Sequence, residues 1–222
     1  DVYKRQVKQR AALVTFIRSE VKVLGHSLPS CGTKVFAAKL RDQIPVNLRP
    51  ALEPVFDQIQ AACSGIATLE TRIDKLSTTS FSTTALLRQV YGIGPLIALA
   101  FVATIGDPQR FAKSRAVGAY FGLVPRIHQS GRSNPNLGIT KTGDRYMRSL
   151  LVSAATKILG PNAPDSDLKR YGERILAGGG TRNKGRARIA VARKLAVLLH
   201  SLLRTGEVYE PIRNGDDLVE AA

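Results

Sequence analysis

Cysteine is scarce in this chain. Cys31 and Cys63 are the only two in 222 residues, and no CxxC spacing occurs. A disulfide scaffold is excluded, and both thiols are expected to be small buried groups in a reducing cytoplasm. Long apolar runs are also missing. The most apolar stretch, Ile93–Ile105, is interrupted by Gly94 and falls short of the roughly 20 residues a membrane span needs. The opening residues, DVYKRQ, are charged, precede no apolar run and include no Met. A signal peptide is therefore not expected, and the chain is expected to be a piece of a longer cytoplasmic protein.

Common catalytic patterns are absent too. Asp107, Asp144, Asp165 and Asp167 are scattered, with no spacing suited to a two-metal centre. His26, His128 and His200 lie far apart, and no Walker loop, GxSxG or Ser/His/Asp pattern is present. The last shortage is of acid. Asp and Glu total 17 against 33 Lys and Arg, a formal net charge of +16. Hydrophobic residues make up 44%, enough to bury a core, so the excess charge belongs to a folded protein. Such a chain calls for an anionic partner, and nucleic acid is the first candidate.

What is there reads as mainly α. A helix is expected over 4–24, a short one over 33–42 and a long amphipathic one over 51–76, with Pro54 in its first turn. Leu52, Val55, Ile59, Ala62, Ile66, Leu69, Ile73 and Leu76 recur at steps of three and four, a near-heptad stripe suited to a coiled-coil arm or bundle seam. The polar run STTSFSTT (77–84) reads as a linker in which Ser82 or Thr83 caps the next helix. Further helices are expected over 86–91, after the GIGP turn (92–95) to about Ile105, and over 113–121, 144–159, 165–177 and 184–204. GGG at 178–180 should end the 165–177 helix, and an acidic tail from Tyr209 should be loose. The domain division that follows is 1–47, an arm and linker over 48–84, a compact helical domain over 85–209, and the tail 210–222.

Four constellations carry chemistry. The segment VYGIGPLIALAFVATIG resembles a helix-hairpin-helix, in which Gly92 and Gly94 permit a tight turn and free N–H groups face a phosphate. Pro95 removes one of those donors. From Arg110 to Arg148 there are eight cations against Asp144 alone, among them Arg126, Arg132, Lys141, Arg145 and Arg148. From Lys169 to Lys194 there are nine against Glu173 alone, including Arg182, Lys184, Arg186 and Arg188 near a helix N-terminus. Cations there oppose the helix dipole unless an anion compensates. Finally, Ser130 sits in HQSGRS, flanked by Gly131 with Arg126 and Arg132 nearby. Arginines could stabilise the charge that develops if its hydroxyl attacked a phosphodiester, although most loop serines are turn residues.

Taken in order, LLRQVYGIGPLIALAFVATIGDPQRFAKSRAVGAYFGLVPRIHQSGRS, GITKTGDRYMRSLLVSAA and NKGRARIAVARKLAVLLHSLLRTGEVY resemble the C-terminal domain of insertion sequence one-ten family transposases. The resemblance covers about Leu86 to Tyr209, and residues 7–76 resemble the end of the family's RuvC-like domain and its helical arm. It implies a DNA transposase in which a serine forms a covalent phosphoserine link to a DNA strand. It also implies a structured guide RNA, assembly as dimers or tetramers, and Mg²⁺ held by carboxylates of the RuvC-like domain. No Asp of this chain matches those carboxylates, so no metal ligand is carried over and this piece alone is expected to be inactive. Ser130 matches the nucleophile, with Ser133 and Thr140 as competitors; Thr140 stands where the family usually has Ser. The alternative is a non-catalytic nucleic-acid binder, a junction or repair accessory that uses the same hairpin.

Overall fold

The computed structural model describes residues 2–126 and 138–213. The chain divides into two compact units, the first ending at Ile73 and the second starting at Asp74. Among the described residues there are helices and no named strand.

The first unit opens with α1 (Val2–Val23), which buries Val14, Ile17 and Val21 on one face. Next come α2 (Phe36–Leu40) and a 3-10 turn, Arg41–Gln43. The helix α3 (Arg49–Thr79) begins in this unit. Leu52, Phe56 and Ile59 of α3 join the α1 residues, Phe36, Ala37 and Leu40 in one core cluster. Phe36 and Phe56 stack with centroids 5.8 Å apart. Arg18 lies over the Phe36 ring and donates to the Leu28 and Pro29 carbonyls, closing the loop after α1.

Two expectations about α3 change. Pro54 lies beyond the first turn, because the helix starts at Arg49, and its missing N–H leaves one internal bond unmade. The buried face includes Phe56, which the three-four stripe passes over, whereas Leu76 of that stripe is 46% exposed.

The second unit starts in the last turns of α3. Ser77 there is buried and accepts at its carbonyl from the Thr84 hydroxyl, 2.6 Å away, so part of the expected linker is packed. No side-chain cap precedes α4 (Thr84–Arg88); the backbone bonds Thr84 N–H to Phe81 O and Ala85 N–H to Ser82 O open it instead. There follow α5 (Pro95–Ile105), α6 (Ala116–Tyr120), α7 (Arg145–Ile158), α8 (Asp167–Leu176) and α9 (Gly180–Thr205). The GGG segment thus both ends one helix and begins the next.

The last helix is the hub, with α4, α6, α7 and α8 all packing against it. Val191, Leu195, Ala196, Leu199 and Leu202 of α9 meet Phe101, Phe121, Met147 and Leu151 in a single cluster. Each fully buried Val, Leu, Phe or Met side chain among them contributes about 1.5–3 kcal/mol. The stretch after α9 is tied down through Arg213. Tyr209 N–H donates to Gln89 Oε1, Asp167 N–H to Pro211 O, and Arg213 N–H to Asp167 Oδ2. Its acidic, Pro-bearing composition suggests looseness, but these bonds and the packing of Tyr209 on the core hold it.

Candidate nucleic-acid interface

The segment 127–137, which contains Ser130, Arg132 and Ser133, lies outside the described residues. Its two ends do not. Pro125 and Ile139 form an antiparallel bridge, and Arg126 N–H donates to Gly138 O at 2.8 Å. Thr140 N–H donates to Val124 O and Lys141 N–H to Gly122 O. These backbone bonds fasten the returning segment 138–141 to the chain leaving α6.

The turn that follows fits tightly. Gly122 and Gly143 both have positive φ, at 64° and 70°. A Cβ on Gly122 would run into the Thr142 backbone, and one on Gly143 into the Tyr120 carbonyl. Lys141 also adopts the left-handed region, φ 59°, the one described non-glycine residue to do so. That conformation is costly for a residue with a Cβ and is held here by its surroundings.

Asp144, the one acid of the first basic stretch, is spent as the N-cap of α7, accepting from Met147 N–H at 2.7 Å. Arg148, one turn on, turns inward. Its guanidinium donates to the carbonyls of Phe121 and Thr142. Arg145 stays exposed at the helix start.

The structure brings some of the sequence-chosen cations together and leaves others apart. Lys141 and Arg186 line one cleft of about 1140 Å³, together with Arg115, Arg193 and Lys194. Pro125 and Gly138, the flanks of the Ser130 segment, line the same cleft. Arg182, Lys184 and Arg188 are exposed on the opening turns of α9, outside the cleft lining, and Arg126 is exposed beside the bridge. No acid lies in the first turn of α9 to offset them.

The Gly92–Gly94 hairpin sits elsewhere on this unit. A Cβ on Gly92, φ 90°, would lie 3.2 Å from the Ala154 carbonyl, so this glycine lets the turn close onto α7. Ala154 is nine residues from Arg145, or about 14 Å along the helix. Gly94 has open space around its Cβ position and precedes α5 with Pro95 at its first position. None of residues 90–95 lines the cleft, so the hairpin and the cleft are separate features.

Sequence reasoning chose Arg186 but passed over Arg115 and Arg193 as site residues. On α9 the signal was available: Arg186, Ala190, Arg193, Val197 and Ser201 follow at steps of three and four, and all line the cleft. Arg115 carries no such signal, since the fold alone brings α6 alongside.

Residues 84–170 match the family model for the IS116/IS110/IS902 transposases. The transposase of insertion sequence element IS1111A from Coxiella burnetii is 30% identical over 212 residues, 92% of this chain and 57% of that protein. A probable family 20 transposase of Pseudomonas aeruginosa is 30% identical over 95% of this chain and 63% of its own length.

Over residues 84–170 this chain belongs to the IS116/IS110/IS902 transposase family.

It spans about three fifths of the length of these two relatives. The family's matched region takes in α4 to the start of α8, hence the hairpin, the fastened loop ends and the inward Arg148. A pilin gene-inverting protein of Moraxella lacunata is 28% identical over 57% of this chain and 38% of its own length. Among the described residues, no three His, Cys, Asp or Glu side chains gather as a metal ion would need. None of the described helices is long and apolar enough to cross a membrane.

Proposed function

We propose that this chain supplies the serine-bearing half of an insertion-sequence transposase, which binds DNA and exchanges strands under the guidance of a structured RNA. The observation that supports this most is the fastening of Pro125 to Ile139 at the edge of a cationic cleft, because it fixes both ends of the Ser130 segment there. In the reaction, Ser130 Oγ loses its proton and bonds to phosphorus. One P–O ester bond breaks, and the departing strand takes a proton on its hydroxyl. A hydroxyl of a second strand then attacks the phosphoserine diester and restores the serine. No oxidant or nucleotide is consumed. Arg126, Arg132 and Lys141 would stabilise the charge on the transferring phosphoryl group. The exposed cations Arg145, Arg182, Lys184 and Arg188 would hold backbone phosphates, as would the N–H groups after Gly94. Mg²⁺ is assigned to a RuvC-like domain outside these matched motifs.

The proposal includes association between copies of the chain through the apolar stripe of α3, of which Leu76 is exposed. The chemistry is tested by supplying the RuvC-like half from a relative, with element-end DNA, the relative's guide RNA and Mg²⁺. A denaturant-stable protein–DNA adduct is expected, lost in Ser130→Ala and kept in Ser133→Ala and Thr140→Ala. Tight binding with no adduct, beside a working control from the relative, would make the chain a nucleic-acid binder without this chemistry.

A further inference from the structure

The cleft lined by Pro125 and Gly138 has two kinds of wall. Its interior is apolar: Leu123 is buried, and Ile139, Ile189 and Leu198 are partly buried and packed against the core. Its rim is cationic: Arg115, Lys141 and Arg186 are exposed, and Arg193 lays its stem along Gly118. None of these four cations forms an ion pair among the described residues. The acids that also line the cleft are otherwise engaged. Glu207 and Glu210 pair with Arg213, and Asp167 accepts from the Arg213 backbone. Tyr171 adds an aromatic ring with Lys194 Nζ 4.1 Å from its centroid.

Backbone phosphates alone need no apolar pocket, and an apolar ligand needs no cationic rim. An unpaired nucleotide presents both a flat apolar base and an anionic phosphate. We propose that this cleft holds one unpaired nucleotide of the nucleic acid, with its base against Ile139, Ile189 and Tyr171 and its phosphate on Arg115, Arg186 and Arg193. The proposal rests on the nucleic-acid reading above and adds a purpose for the cleft: a base withdrawn from its duplex into a cleft lined by Pro125 and Gly138 leaves its phosphodiester open to attack.

The test uses this chain with two duplex probes, one fully paired and one carrying a single extrahelical 2-aminopurine. The expected result is about tenfold tighter binding of the bulged probe, the fold-change of roughly one stacked base, with a change in 2-aminopurine fluorescence on binding. Ile189→Gln and Tyr171→Leu should each bring the two affinities together while leaving the paired probe's affinity unchanged. Ser130→Ala should keep the preference, so failure of the serine assignment would not disturb this result. Equal affinities in the unsubstituted chain, or a preference that survives both cleft substitutions, would overturn the proposal. So would binding of a synthetic peptide of residues 214–222 without any nucleotide preference, which would give the cleft to the chain's own acidic segment. Loss of binding to both probes would instead sink the nucleic-acid reading itself.

Discussion

Arg148 donates to the carbonyl of Thr142 from a distance of 2.7 Å, and the same nitrogen reaches the Phe121 carbonyl at 3.1 Å. A side chain that sequence charge alone would send toward a phosphate is thus the tie between α7 and the turn that closes the Ser130 segment. Arg148→Ala strands two carbonyls and should lower stability by about 1–3 kcal/mol. Arg145→Ala, at an exposed position, should change it by less than about 0.5 kcal/mol. Chemical denaturation of both variants measures the difference; equal effects would remove the tie.

Gly143→Ala should be more damaging than its size suggests. The new methyl group would collide with the Tyr120 carbonyl at a positive φ. A cost of at least about 2 kcal/mol is expected, read as a lowered unfolding midpoint. Gly94→Ala, whose Cβ would enter open space at φ −92°, serves as the mild comparison.

Phosphate neutralisation announces itself in salt dependence. Arg145→Ala, Arg186→Ala and Arg188→Ala should each weaken duplex binding and reduce the slope of log K against log salt by about 0.9 for every phosphate left without its cation. Titration at several salt concentrations checks this, and three unchanged slopes would take the basic surface out of the interface.

Stability should fall in mild acid because of His200. Its Nε2 faces the Pro108 carbonyl, which can only accept, so Nε2 carries the proton and Nδ1 receives the Ser114 hydroxyl. Burial, with nearby Arg204 adding to it, holds the His200 pKa below the ordinary value. The unfolded chain then binds a proton that the folded one resists. Stability is complete above about pH 6.5, the unfolded value, and declines as pH drops below it. Urea midpoints at pH 7.5 and 5.5 should show the decline, and His200→Gln should reduce it.

The stripe of α3 invites a test of assembly. Leu69→Glu combined with Leu76→Glu should shift sedimentation toward a monomer if the helix pairs with a second copy. A chain already monomeric before substitution would assign the stripe no role between copies.

Much of the fold was legible because helices advertise themselves by period. Leu151, Ala154 and Ile158 on α7, and Val191, Leu195, Leu198 and Leu202 on α9, line up at three-four spacing and do face the core or its edge. Ends were harder. Short helices such as α4 and α6 hold only five residues each, too few for periodicity to fix their limits. The site was legible as charge, not as geometry. A run of arginines cannot reveal that Arg148 points at carbonyls while Arg186 shares a cleft with Arg115 from another helix. Nor does a polar string such as STTSFSTT betray that Ser77 will be buried, since that depends on Thr84 folding back to it.

The bonds made by the N–H groups of Arg126, Thr140 and Lys141 run between main-chain atoms at the two ends of the segment. Exchange of the eleven positions from 127 to 137 as a cassette is therefore expected to leave that anchorage intact. Variation there would alter reactivity or choice of partner while the helical platform stays the same. Within such a scaffold, chemistry and foldability can diversify independently.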